Sequence, residues 1–147
     1  MSNSEFLMVI IILLLFNADI KSQDIVTPGF DSTYYSIEDC VNEFNMNEIE
    51  KTAVGYQYWF ADRDFLDGRT IKLSVVGPHS STHAPHKHSE DEFFFVLEGT
   101  AEFYLNGETK VVEPMTSLYC PPFSEHGIKN VGNTELKYLV IKKYEVK

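Results

Sequence analysis

Histidine and carboxylate side chains crowd one short stretch of the chain, His86-Lys87-His88 followed by Glu92. Alternation along an extended backbone sends His86 and His88 to the same face, so their imidazoles can converge on one point. Glu92 then offers a carboxylate from the start of the next strand, across a short connection at Ser89–Asp91. Neutral imidazole and carboxylate oxygen together suit a borderline divalent ion such as Zn, Fe, Mn or Ni. An H-x-H pair taken alone is equally compatible with two surface or hydrogen-bonded histidines. Of the other histidines, His79 and His83 read as loop residues without a ligand role, His83 near the mouth of any site.

The elements that must position these residues are strands. Gly55–Phe60 is aromatic-rich, and Thr70–Val76 alternates, with Ile71, Leu73 and Val75 on one face and Lys72 and Ser74 on the other. Glu92–Glu98 is a dense apolar strand with Ala101–Leu105 close behind. Asn106-Gly107 is a hairpin signal, because a type I′ turn needs positive φ at both central positions. Further strands fit Lys110–Val112, Ser117–Cys120, Gly127–Asn130 and Lys137–Tyr144. Many short strands between turn residues indicate an all-β sandwich or barrel. Before them, Gln23–Tyr35 reads as an irregular arm. Ile37, Cys40, Val41 and Phe44 then have the spacing of a short helix over 37–44.

His86-x-His88-x3-Glu92-x6-Gly99 resembles the first signature of the cupin superfamily, and Pro121 to Asn130 resembles the second, P-x-G-x2-H-x3-N. The resemblance implies that His126 completes a ligand set of His86, His88, Glu92 and His126. It spans roughly Arg69 to Lys143 and implies a double-stranded β-helix, or jelly-roll barrel, with one divalent transition metal ion inside. Fifteen residues separate Gly99 from Met115, as in short-spaced single-domain cupins. The pattern is not complete. The glycine expected five residues before the first histidine is instead Gly77, with eight residues between it and His86, and Met115 and Phe123 replace both glycines of the second signature. Those glycines serve turns, so the local backbone there is open.

Parity with Glu92 turns Phe94 and Val96 inward, where they line a substrate pocket or simply pack the core. Tyr104 and Tyr119 are further pocket candidates that could equally sit outside. Lys72 or Arg69 could present a cation to an anionic substrate, but a solvated outer face is expected for both. Asn130 shares parity with His126 and is expected to support the barrel by hydrogen bonding. Cys120 reads as a packing residue rather than a nucleophile. The sequence contains no P-loop, no dinucleotide fingerprint and no G-x-S-x-G elbow.

The chain has 147 residues, 44% hydrophobic and 14% aromatic, enough for one packed domain. Its net charge of −10 argues against nucleic acid as a partner. Phe6 to Phe16 is an unbroken run of eleven apolar residues. That is shorter than the roughly 20 a membrane span needs and within the roughly 7–15 of an export-signal core. Residues 1–22 are therefore expected to be a signal peptide removed on secretion or transfer to the periplasm, leaving a chain of −9 with no stable membrane insertion; an uncleaved anchor is the alternative. Residues 23–54 are then the arm with its short helix, and 55–147 the barrel domain. Export permits a disulfide between Cys40 and Cys120, but two free, partly buried thiols are the expected state.

Together these features lead to an exported, metal-dependent cupin acting on a small oxygenated metabolite such as a sugar or sugar acid, by isomerisation, ring opening or elimination. The alternatives are an iron-dependent dioxygenase and a non-enzymatic, metal-dependent small-molecule binder. Cupins often pair, so a homodimer is also expected.

Overall fold

The computed structural model describes residues 36–65 and 68–145; the expected signal at 1–22 and the arm up to residue 35 lie outside them. Nine strands follow a short helix, α1 (Ile37–Cys40), and a 3-10 turn, Met46–Glu48. They are β1 (Glu50–Thr52), β2 (Gly55–Ala61), β3 (Arg69–Val76), β4 (Glu92–Glu98), β5 (Ala101–Leu105), β6 (Glu108–Val112), β7 (Thr116–Cys120), β8 (His126–Asn130) and β9 (Leu136–Lys143). The helix expected over 37–44 is one turn long. Strand β1 was not anticipated, because Glu50-Lys51-Thr52 carries no apolar alternation.

Two antiparallel sheets form, a six-stranded one in the order β1-β2-β3-β9-β4-β7 and a three-stranded one in the order β6-β5-β8. They face each other across a core of Phe94, Val96, Leu136 and Tyr138 from the first and Ala101 and Ile128 from the second. This is the jelly-roll barrel. Burying such side chains contributes roughly 1.5–3 kcal/mol each for the large aliphatic and aromatic ones. Among the described residues no helix is long and apolar enough to cross a membrane.

The hairpin at Asn106-Gly107 has the expected positive φ at both positions, 48° and 95°. Gly99 links β4 to β5 at φ 85°, and a Cβ there would lie 2.5 Å from the Glu135 carbonyl oxygen, so no other residue fits. Met115 and Phe123, which stand where the signature has glycine, also adopt positive φ, 63° and 60°. The turns are thus kept without the glycines. Met115 N–H donates to Val96 O (2.8 Å) and Phe123 N–H to His88 O (2.8 Å), and these bonds hold the strained residues in place.

On β3 the side of Thr70, Lys72 and Ser74 faces inward. Thr70, Ser74 and Val76 are buried and Lys72 lines a cavity, while Ile71 is exposed. The apolar face of β2 and β3 is instead covered from outside: the Phe44 ring packs edge-on to Tyr58 (5.1 Å), whose hydroxyl donates to Glu43 O (2.9 Å).

Candidate metal centre

Residues 77–91 connect β3 to β4 and carry two of the three converging histidines. The connection is fastened to β8 by a reciprocal backbone pair, His86 N–H to His126 O and His126 N–H to His86 O, both 3.0 Å. His86 is an isolated bridge residue, so the pair His86 and His88 sits in a pinned loop and not on the regular strand that alternation suggested. The effect is the same. Their ring centroids are 5.5 Å apart, and those of His86 and His88 lie 5.1 and 4.7 Å from that of His126.

Each imidazole is oriented by a main-chain carbonyl two residues away. His86 Nδ1 lies 3.3 Å from Ala84 O, His88 Nδ1 2.7 Å from Glu90 O, and His126 Nδ1 2.8 Å from Ser124 O. A carbonyl can only accept, so Nδ1 carries a proton in each ring; Nε2 of His86 and His88 then presents a lone pair, while Nε2 of His126 faces Glu92 Oε1, which a shared proton or a bound cation would bridge. One nitrogen from each of His86, His88 and His126 falls within 4.8 Å of the others. Glu92, buried at the start of β4, places Oε1 2.9 Å from His126 Nε2 and 3.6 Å from His88 Nε2. The structure therefore brings the expected residues into one cluster, with Glu92 and His126 buried, His88 half-buried and His86 at its exposed edge.

Imidazole lone pairs and a carboxylate aimed at one another repel unless a proton or metal cation lies between them. His88 Nε2 is buried and has no hydrogen-bond partner, a condition that costs about 1–3 kcal/mol. An ion bound at about 2.1 Å from each donor needs donors about 3–4 Å apart. Glu92 Oε1 meets this with His126 Nε2 and His88 Nε2, and the three histidine nitrogens lie within 4.8 Å of one another, so the cluster could hold a divalent ion. Burial lowers the pKa of His86, and the neighbouring His126 and His88 add to this, while the Ala84 carbonyl and Glu92 oppose it; the neutral, ligating form is favoured.

Cys120, directly across from Glu92 in the β4–β7 register, also reaches the cluster, its sulfur within 4.8 Å of ligand atoms of Glu92 and His126. Burial pushes its thiol up to about 12, with the Glu92 charge adding, so it stays protonated in the absence of a metal. That fits packing and not a nucleophile. Cys40 is exposed and also a free thiol.

A cavity of about 460 Å³ opens beside the cluster. Phe94 lines it, as expected, with its ring 6.2 Å from that of His126. Three pocket expectations are corrected. Val96 is fully buried in the core and does not reach the cavity. Tyr119 points outward, 45% exposed, against Phe93. Tyr104 lies off the cavity and donates to Glu125 Oε2 (2.6 Å). The outer-face expectation holds for Arg69, which is exposed, but not for Lys72, which lines the cavity. His83 lines the mouth, and His79 stays in the loop beside Asn133. Trp59, Lys142 and Tyr138 also line the cavity and were missed. For Lys142 a signal existed: it shares parity with Leu136, Tyr138 and Val140 on β9.

Residues 72–142 match the family model for the cupin domain, the stretch that contains all four clustered residues. The chain belongs to the cupin superfamily. An uncharacterized protein of Methanocaldococcus jannaschii is 36% identical to this cupin over 66 residues, 44% of this chain and 53% of that protein. An oxalate-binding protein of Thermotoga maritima is 31% identical over 65 residues, 44% of this chain and 54% of that protein. The chain thus spans about half the length of these sequence relatives. A cupin 2 conserved barrel domain protein from Salinispora arenicola shares the fold at a TM-score of 0.59 and 17% identity, over 71% of this chain and 87% of that one.

Proposed function

We propose that this cupin binds one divalent transition metal ion through His86, His88, Glu92 and His126 and acts on a small oxygenated metabolite in the adjoining cavity. The observation that carries this is the convergence of three backbone-oriented imidazoles and a buried carboxylate, with His88 Nε2 left unpartnered beside that cavity. Bound there, the ion would supply a Lewis acid able to polarise a carbonyl or hydroxyl, the chemistry needed for isomerisation, ring opening or elimination of a sugar or sugar acid. The chain's own residues do the rest. Ala84, Glu90 and Ser124 fix the imidazole tautomers, and Phe94, Ile128 and Val140 give the cavity an apolar wall that limits water. Binding without turnover is the second reading, favoured by similarity to an oxalate-binding protein. Export of the protein is part of the proposal and rests on the apolar run 6–16.

Metal analysis of untagged protein tests the centre. About one transition metal ion per chain is expected in the parent and far less in His88→Ala, because losing one of four ligands removes a large share of the affinity. An ion present at 100 times its Kd adds about 2.7 kcal/mol, so chelation is expected to lower Tm by roughly 10–20 °C. Equal metal in parent and variant would remove His88 from the ligand set. Iron in the purified protein would favour dioxygen chemistry, and zinc or manganese the Lewis-acid route.

A further inference from the structure

The cavity is cationic inside an acidic protein. The chain carries a net charge of −10, yet three of its twelve lysines and arginines, Arg63, Lys72 and Lys142, line this one space, and among the described residues Glu92 is the sole carboxylate lining it. If Glu92 serves the metal, no other described lining residue is an acid that could balance the three cations. Two of them are partly satisfied. Lys142 Nζ lies 3.6 Å from Glu90 Oε2 and 4.7 Å from the Tyr144 ring, and Arg63 stacks on the same ring at 3.9 Å.

Lys72 is different. It makes no ion pair or hydrogen bond among the described residues, and its one close polar contact is the face of Trp59 at 5.0 Å. Setting a cation in a partly desolvated cavity without an anion is unfavourable. Burial accordingly lowers the pKa of Lys72; Glu92 and Glu50 oppose this at a distance, while Lys142 and Arg63 add to it. A β-bulge between Trp59 and Ala61 shifts the β2–β3 register beside this pair.

Register places Lys72 relative to the metal cluster. Lys72 pairs with Val140, and Lys142 pairs with both Thr70 and Glu92. Lys72 therefore stands two strands and two residues from Glu92, a backbone separation on the order of 10 Å. A lysine side chain reaching in from that distance leaves room for a molecule of monosaccharide size between ammonium and cluster, which the volume of about 460 Å³ allows.

Resting on the metal-dependent reading above, we infer that the ligand is an oxyanion, a carboxylate or phosphate ester, whose charged group is held by Lys72 with Arg63 and Lys142 behind it while its opposite end faces the histidine cluster. Trp59 offers an apolar face beside the charge.

Isothermal titration of the metal-loaded protein with D-galacturonate, D-galactose 6-phosphate, oxalate and neutral D-galactose tests this. At least one acid is expected to bind about tenfold or more tightly than galactose, with Lys72→Gln losing about tenfold for that acid and nothing for galactose. Galacturonate against the 6-phosphate decides which oxyanion is preferred. Lys72→Gln should keep the parent's metal content, which verifies its folding, and Lys110→Gln, an exposed lysine on β6, should bind as the parent does. Galactose binding as tightly as every acid, no acid binding at all, or Lys72→Gln binding acids like the parent would each overturn the inference. None of those outcomes touches the metal reading, which the metal content of the parent and of His88→Ala tests separately. Acid binding that depends on Lys72 in metal-free protein would uphold the inference alone.

Discussion

Positive φ at a residue with a side chain is a local strain that the surrounding bonds must outweigh. Met115 and Phe123 bear it at φ 63° and 60°. Both are largely exposed, at 77% and 72%, so little packing is gained in return. The left-handed conformation costs a residue with a Cβ roughly 1–2 kcal/mol, and the greater freedom of unfolded glycine gives back about 0.4–1 kcal/mol of that. Met115→Gly is therefore expected to stabilise the barrel by about 0.5 kcal/mol or more. Urea unfolding at unchanged slope measures it, and a lower midpoint would mean that Met115 has a packing role. The sequence showed the missing glycines but not whether the turns survive, because a turn is set by the strands it joins as much as by its own residue.

Among the elements, β8 joins site and scaffold. His126 opens it in the cluster, and Asn130 closes it at the far end, fully buried. The Asn130 amide donates to the carbonyls of Val76, Gly77 and Thr134 at 3.0, 3.0 and 2.7 Å, and its Oδ1 accepts from Gly132 N–H at 2.9 Å. One side chain thus ties the end of β3, the start of the long loop and the β8–β9 turn. Asn130→Ala leaves several buried groups without partners and is expected to cost about 3 kcal/mol, which lowers Tm by roughly 10–20 °C. Calorimetry checks this, and the variant should still bind metal below its Tm. The supporting role was legible from parity with His126. The three acceptors were not, since they come from segments brought together only by the barrel.

Across the whole molecule, charge is segregated: the surface is acidic and the cavity basic. A net negative surface favours solubility and repels other polyanions, whereas the basic cavity is the part of the molecule proposed above to hold a small anion. The export proposal belongs at this scale too. N-terminal sequencing of protein recovered outside the cytoplasm is expected to start near Gln23, and a chain that keeps Phe6–Phe16 would replace the signal with an anchor.

By itself the sequence determined the strand periodicity, the Asn106-Gly107 hairpin and the histidine and glutamate spacing, because these depend on neighbours along the chain. Parity with Glu92 and His126 also gave the inward side of β4 and β8, whereas on β3 only the structure decided it. On β3 alternation separates Lys72 and Ser74 from Leu73 and Val75, and the apolar side would ordinarily be assigned to the core. Here Phe44 packs from outside on Tyr58, the cross-strand neighbour of Leu73, while the polar side of β3 lines a cavity. Cys120 and Lys142 enter the site for a related reason: each is the cross-strand partner of Glu92, a relation between segments 28 and 50 residues apart that pairing creates and no local pattern records.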